Sequence, residues 1–242
     1  MSNSILLEVC VETVAAAVSA ESGGAHRIEL CSDLAVEGVS PSLELIEEVR
    51  RRISIPLHVL IRPRAGDFRY TAPEFELMKS EIAHARGMGV EGVVFGILDA
   101  AHQVDVPRTR ELVKRARPMA VTFHRAFDES PNLLAALEQV TQTGADRILT
   151  SGGACNAEEG SPMLSELVKI AAERVGILAC GAIRETNVRK IIEATGVREV
   201  HASLLNRPPN PGESDGSEVK RHKPTLESEL VERFLNVARG TA

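Results

Sequence analysis

Two hydrophobic patterns alternate along the chain. Short runs of mostly apolar residues are followed by longer segments in which apolar residues recur at the spacing of one helix face. The short runs predict eight β-strands, over residues 5–10, 27–31, 57–61, 92–97, 120–124, 147–150, 176–180 and 199–202. The longer segments predict eight helices, over residues 13–22, 41–52, 73–87, 107–116, 131–143, 162–174, 185–194 and 226–238. This alternation predicts an α/β fold, a single (β/α)8 barrel of the TIM type over residues 1–242.

One segment interrupts the alternation. Residues 206–225 are rich in proline, glycine, serine and charged residues, and they lie between the last predicted strand and the last predicted helix. This composition predicts a flexible insertion at the surface. Because the segment leaves the end of the barrel where sites are usually found, a mobile lid is the alternative interpretation.

Charge and composition argue against several kinds of partner. The 242-residue chain has a net charge of -6 and no basic run longer than Arg50-Arg51-Arg52, so we expect no nucleic-acid partner. No apolar run approaches the roughly 20 residues of a membrane span, and we expect neither a membrane partner nor a signal peptide. The four cysteines lack metal-finger spacing, which is typical of reduced thiols in a cytoplasmic protein.

The strands are expected to place polar side chains inside the barrel. Alternate residues of a strand point to opposite faces, and the wholly apolar set should face the helices. The opposite set includes Glu8, Glu29, His58, Arg62, His124 and His201. Buried charges must be paired, so one interpretation is an internal salt-bridge network that stabilises the core. The other is a pocket at the C-terminal face, where strand ends converge.

Four of these residues are candidates for acid–base catalysis. Glu8 and Glu29 occupy like positions on neighbouring strands, which predicts carboxyl groups about 5 Å apart if the strands are in register. Two close carboxylates cannot both ionise freely, so we expect one to have a raised pKa. His58 and His124 are expected to share the proton transfers.

Two cysteines end the first two strands, each two residues beyond a glutamate. Cys10 and Cys31 would together offer two soft ligands, which suit Cu(I) better than a hard cation. The alternative interpretation is a pair of small buried hydrophobic side chains, the usual role of a free cysteine.

Glycine-rich turns and arginines predict an anion site. Such turns after the sixth and seventh strands would expose backbone N–H groups to a phosphate or carboxylate, although tight-turn geometry alone also explains the glycines. The candidate anion-binding residues are Arg62, Arg64, Ser151, Gly152, Gly153 and Gly181.

Several motifs together resemble one known family. Leu7-Glu8-Val9-Cys10, Arg27-Ile28-Glu29-Leu30-Cys31, the IRPRAGDF run that begins at Ile61, the TFHRAFD run that begins at Thr122, and Leu149-Thr150-Ser151-Gly152 are similar to the copper homeostasis protein CutC family. The resemblance runs from about Ile5 to Ser203. It implies a (β/α)8 barrel, a cytoplasmic location, a homo-oligomer (a dimer or tetramer), and Cu(I) binding through Cys10 and Cys31.

Two functions remain open from the sequence. The resemblance implies a copper-binding homeostasis protein with Cu(I) as its ligand and no other cofactor. The polar barrel mouth favours an enzyme of unassigned reaction that acts on a small anionic metabolite, a phosphate or a carboxylate, by acid–base chemistry. Copper binding alone leaves the glutamate, histidine and arginine side chains without a role.

Overall fold

The computed structural model describes residues 5–204 and 225–240. Strands and helices alternate along this part of the chain, and the strands form one closed parallel barrel in chain order. The strands are β1 Leu6–Val11, β2 Arg27–Leu30, β3 Leu57–Leu60, β4 Gly92–Phe95, β5 Ala120–Phe123, β6 Arg147–Thr150, β7 Gly176–Ala179 and β8 Glu199–Ala202. The α-helices are α1 Val14–Ser22, α2 Leu43–Arg52, α3 Ala72–Gly87, α4 Val106–Ala116, α5 Leu133–Thr143, α6 Ser161–Ala171, α7 Val188–Thr195 and α8 Ser228–Arg239. The predicted (β/α)8 barrel of the TIM type is confirmed.

The insertion proposed for residues 206–225 lies, apart from Thr225, outside the described residues. Among the helices of the described ranges, none is long and apolar enough to cross a membrane.

The helix starts show how proline and polar caps act together. Thr71 caps α3, where its hydroxyl accepts from the N–H of Glu74 and the Glu74 carboxylate accepts from the N–H of Thr71. Pro73 follows in the first turn, where the missing N–H costs nothing. Pro41, predicted as a helix start, instead precedes the cap Ser42, because the serine hydroxyl supplies the acceptor that the first turn needs.

The strand alternation sorts the core into two layers. Leu7, Val9, Ile28 and Leu30 are fully buried and belong to the main cluster between sheet and helices, as predicted. A second cluster is separate from it and includes inward-facing side chains. Its buried members are Cys10, Cys31, Leu60 and Val94. Below these apolar groups the barrel interior is polar.

The register of the first strands differs from the prediction. Glu8 is the backbone neighbour of Arg27 on β2, while Cys10 is the neighbour of Glu29. Around the closed barrel, Glu8 also neighbours His201 on β8. The shear of a closed barrel offsets neighbouring strands, so the two glutamates lie one inward position apart and not side by side.

Two short 3-10 helices were missed from the sequence, because a single turn has too few residues to show a period. Leu34–Val36 follows β2 and Arg125–Glu129 follows β5, so both lie at the C-terminal face of the barrel. His124 caps the second of these helices, and its Nδ1 accepts from the N–H of Ala126 at 3.2 Å. This segment positions two residues of the candidate site, Arg125 and Asp128.

A glycine on β4 makes room for an inward-facing histidine. Gly92 is the backbone neighbour of His58, and a Cβ atom at position 92 would overlap the His58 imidazole. We therefore expect Gly92→Ala to lower the free energy of unfolding by about 1–3 kcal/mol, the usual cost of overpacking a core. The urea midpoint measures this change.

Gly87→Ala is the matched control. Gly87 ends α3, and a Cβ atom there would meet nothing within 4 Å. Alanine in a helix is expected to leave stability unchanged or slightly higher. Equal losses in the two variants would contradict the packing of His58 against Gly92.

Candidate functional site

A column of alternating charges runs up the barrel interior, formed by Arg147, Glu199, Arg27, Glu8 and His201. Glu199 accepts from Arg147 Nε and from Arg27 Nη2, each at 2.9 Å. Arg27 Nε donates to Glu8 Oε2 at 2.5 Å. His201 Nδ1 lies 2.7 Å from Glu8 Oε1. Each buried charge in this polar column therefore has an opposite partner or a hydrogen bond.

Glu8 is the fully buried centre of the polar column. Burial alone would raise the pKa of its carboxyl group, but the attraction of Arg27 and the hydrogen bond from His201 outweigh burial and hold the pKa well below its usual value. Since an ionised carboxylate only accepts hydrogen bonds, Nδ1 of His201 carries the proton of that bond. The Nε2 atom is then the nitrogen that has a lone pair when the ring is neutral.

Above the column, four side chains meet in what we call the thiol centre: Cys10, Cys31, Glu29 and His201. The two sulfur atoms are 3.4 Å apart. The Cys10 sulfur lies 3.8 Å from Glu29 Oε1, and one ligand atom each of Cys10, Glu29 and His201 lie within 4.8 Å of one another. Both thiols are free and buried.

The thiol centre has unusual proton affinities. The hydrogen bond with Cys31, together with burial, raises the pKa of Cys10 well above its usual value. Burial raises the pKa of Glu29 to about 7 in spite of the nearby His201. For His201, burial lowers the pKa, but Glu29 and Glu8 outweigh burial and raise it. The expected difference between the two glutamates is present. Burial raises the pKa of both carboxyl groups, and the strong attraction of Arg27 outweighs burial only at Glu8.

His58 and His124 do not join the thiol centre. His58 Nδ1 lies 3.9 Å from Glu8 Oε2, and burial lowers the pKa of the imidazole to about 4. His124 packs against Phe68 with ring centroids 4.7 Å apart and the rings tilted by 55°, and burial lowers the pKa of the imidazole to about 3. Both rings are neutral at pH 7. No hydrogen bond between described residues links either ring to Glu29, so the structure does not assemble the proposed four-residue relay.

A cavity of about 540 Å³ opens above the thiol centre. Its walls come mainly from β8 and from the segments after β7 and β8. The residues that line it are Cys10, Leu34, Arg125, Leu149, Cys180, Gly181, Ala182, Ile183, Arg184, Glu185, Thr186, His201, Ala202, Ser203, Leu204 and Leu230. Cys10 and His201 thus connect the cavity with the polar column.

The predicted anion loop after β6 is already bound by a carboxylate of the chain itself. Asp128 accepts from the N–H groups of Ser151 and Gly153, each at 3.0 Å, and from the Ser151 hydroxyl at 3.0 Å. The Gly152 N–H donates to the Thr150 hydroxyl at 2.8 Å. The three N–H groups expected to hold an external anion therefore have internal partners. Of the predicted glycines, only Gly181 lines the cavity.

The two predicted arginines also have structural partners. Arg62 is buried and donates to the carbonyl oxygens of Gly38 and Gly66, which ties together the segments after β2 and β3. Arg64 lies at the surface, with Nε 2.6 Å from Glu74 and Nη2 3.0 Å from Asp67. Neither belongs to the described residues that line the cavity. The expectation that they hold a ligand there is corrected.

Several residues of the site were not singled out from the sequence. Arg125 and Arg184 line the cavity, and Asp128 positions Arg125 through a 3.1 Å ion pair. Arg125 and Asp128 both lie in the TFHRAFD run. They follow the end of a strand, where the alternation of side chains stops, so the sequence pattern does not show which way they point. Glu199 was passed over because it lies at the start of the eighth predicted strand, away from the mouth.

These features define a (β/α)8 barrel whose mouth contains two buried thiols beside a carboxyl group and an imidazole. The model of the CutC family matches residues 5–206, and the chain belongs to this family. A human protein named copper homeostasis protein cutC homolog is 43% identical over 201 residues, which are 83% of this chain and 74% of the human protein. A CutC family protein of Erwinia tasmaniensis is 45% identical over 201 residues, 83% of this chain and 79% of the relative.

Solved structures agree with this assignment. A crystal structure described as the putative copper homeostasis protein CutC from Streptococcus agalactiae has a TM-score of 0.78 and 30% identity, and covers 82% of this chain and 98% of its own. An N-(5'-phosphoribosyl)anthranilate isomerase from Pyrococcus furiosus has a TM-score of 0.62 and 14% identity, over 98% of this chain and 99% of its own. At that identity the isomerase shows the shared barrel fold alone.

The contribution of the Arg27–Glu8 ion pair to stability can be measured by substitution. Arg27→Met removes the main partner of the buried Glu8 carboxylate, so we expect a loss of about 3–5 kcal/mol in the free energy of unfolding. The matched control is Arg174→Met, which breaks an exposed pair with Glu138 and should change stability little. Denaturant unfolding of both variants measures the difference. A small loss in Arg27→Met would contradict the role of this ion pair.

The protonation of Glu29 is directly measurable. We expect carbon-detected NMR of the labelled carboxyl group to give a midpoint near the pKa of about 7. His201→Gln should raise that midpoint further, because the positive imidazolium favours the ionised carboxylate. His102→Gln, a change at an exposed histidine, is the control. A midpoint near the ordinary value of glutamate would contradict the buried position of Glu29.

Proposed function

We propose that the chain binds Cu(I) through Cys10 and Cys31 and that this binding serves copper homeostasis. The observation that supports the proposal best is the pair of buried thiols, 3.4 Å apart, beneath an open cavity. The name of the human relative agrees with this role. The proposal treats copper as cargo and needs no catalysis.

The donor set fits a soft cation. Two thiolate sulfurs favour Cu(I) over magnesium or calcium, which prefer oxygen ligands. Glu29 Oε2 is buried and has no hydrogen-bond partner among the described residues, so a third donor is near the sulfurs. His201 is oriented by its bond to Glu8, as metal-binding histidines commonly are by a carboxylate. We assign His201 Nε2 or Glu29 as the additional ligand.

The location and the oligomeric state of the protein are also part of the proposal. We propose a cytoplasmic location, because the four cysteines are free and thiolate ligands require a reducing compartment. We also propose a homo-oligomer, a dimer or tetramer, on the basis of the family resemblance.

Copper binding should release protons. Because its pKa is raised, Cys10 is protonated at neutral pH and must lose its proton to become a ligand. We therefore expect the apparent affinity for Cu(I) to rise with pH, by about tenfold per pH unit for each proton released. Competition with a Cu(I) chelator over the pH range measures this slope. A flat profile would contradict thiol ligation.

The ligands themselves are tested by substitution. The reduced protein is expected to bind one Cu(I) tightly, and Cys10→Ser combined with Cys31→Ser should abolish this binding, because serine offers no soft donor. Competitive titration against a chelator measures both proteins. Cys155→Ser is the matched control, since this thiol is exposed and outside the thiol centre. Binding that survives the double substitution would remove both cysteines from the metal site.

A second candidate function is acid–base chemistry on a small anionic metabolite. One observation favours it: Glu29, with a pKa of about 7, and His201 lie together below the cavity, and such values suit a group that gives and takes protons. The candidate pair is therefore Glu29 and His201, in place of the four residues proposed from the sequence. Turnover lost in Glu29→Gln, with Cu(I) binding retained, would favour this function over copper binding.

A further inference from the structure

The cavity is larger than a metal ion requires. Its volume of about 540 Å³ falls within the range of roughly 300–1,000 Å³ that is typical of pockets for small organic molecules. Cu(I) held by the thiol centre would leave most of this space to other contents. The charges and apolar groups of the cavity wall therefore indicate what kind of second ligand would fit.

The charged groups of the cavity wall are mainly positive. Arg125 and Arg184 line the wall from the segments after β5 and β7. The one acidic residue among the described lining residues, Glu185, is bound from outside by Arg233, whose Nε lies 3.4 Å from its carboxylate. The wall thus offers two guanidinium groups and little competing negative charge.

Asp128 holds Arg125 in place through Nε and leaves the two terminal nitrogens of its guanidinium group to other contacts. Its Nε lies 3.1 Å from Asp128, but that carboxylate also accepts from Ser151, Gly153 and the Thr150 hydroxyl. Arg125 Nη2 donates weakly to the Ser151 hydroxyl at 3.3 Å, and its Nη1 is 3.9 Å from the exposed Glu37. The charge of Asp128 is therefore shared among several donors. Among the described residues, the terminal nitrogens of Arg125 have only these two weak contacts.

Arg184 has no side-chain partner within residues 5–204 and 225–240. Its backbone N–H donates to Asn187 Oδ1 at 2.8 Å, which fixes the start of the turn that presents it. No ion pair or hydrogen bond between described residues involves its guanidinium group. An unpaired arginine in the wall of a pocket is suited to a carboxylate or phosphate, which its planar fork can bind with two hydrogen bonds.

We propose that this cavity binds a small organic oxyanion, a carboxylate or a phosphate ester, through Arg125 and Arg184. The site goes beyond Cu(I) binding, and it holds whether or not a reaction follows. Leu149 and Leu204 provide an apolar wall for the carbon skeleton.

Calorimetric titration of the full chain with succinate, glycerol 3-phosphate and inorganic phosphate tests the proposal. We expect saturable binding of at least one organic anion, stronger than that of inorganic phosphate and weaker at high salt. Tighter binding of glycerol 3-phosphate would assign a phosphate ester, and tighter binding of succinate a carboxylate. The absence of saturable binding by both organic anions at millimolar concentration would overturn the proposal.

Substitutions locate the anion. Arg184→Gln removes a charge without breaking a hydrogen bond or an ion pair between described residues, and we expect it to weaken binding about 10- to 100-fold. Arg125→Lys keeps the charge but loses the fork, so its loss should be smaller. Arg189→Gln is the matched control, because Arg189 lies on α7 and pairs with Glu193 at the surface. Equal affinity in Arg184→Gln and the wild type would place the anion elsewhere and overturn the assignment.

Anion binding and copper binding can be tested separately. The variant with Cys10→Ser and Cys31→Ser retains both arginines, so it should bind the organic anion with an affinity within a few-fold of the wild type. If the wild-type protein binds the organic anion but not Cu(I), only the anion site is supported. If it binds Cu(I) but neither organic anion, only the copper proposal is supported. Loss of anion binding in the double variant, with unchanged thermal stability, would contradict a site built on the two arginines.

Discussion

The ion pair between Arg27 and Glu8 is the interaction on which the interior of this barrel depends. A carboxylate that is fully buried must be compensated, or it would take up a proton or destabilise the fold. Arg27 compensates Glu8, and Glu199 in turn compensates Arg27. This chain of partners occupies barrel positions that large apolar side chains fill in many other barrels.

The same ion pair determines the chemistry at the mouth. Because Glu8 stays ionised, it accepts from His201 and fixes which nitrogen of that imidazole holds the proton. Glu29, one inward position higher, lacks a comparable cation, and burial leaves it with a pKa of about 7. Cys10 and Cys31 lie beside it as soft donors, and the raised pKa of Cys10 keeps that thiol protonated. The position of Arg27 thus gives the two glutamates different roles. Glu8 is ionised and structural, whereas Glu29 is suited to metal binding or proton transfer.

Sequence patterns predicted the fold well, because strand and helix periods repeat eight times and each period depends on local burial. They also predicted that Cys10 and Glu29 point inward. The register between β1 and β2 was wrong, since it depends on the closure of the whole barrel. The anion loop was misjudged for a similar reason: Asp128 accepts from the N–H groups of Ser151 and Gly153, which are 23 and 25 positions away in the chain. Local sequence does not show such a partner.

In the copper-binding function proposed above, the polar column orients one soft metal site formed by Cys10, Cys31 and a third donor. Copper K-edge X-ray absorption on Cys155→Ser protein loaded with one equivalent of Cu(I) tests it most directly. We expect two sulfur scatterers and one nitrogen or oxygen scatterer, with a nitrogen contribution lost in His201→Gln if Nε2 is the third ligand. A spectrum with one sulfur scatterer or none would contradict ligation by both cysteines.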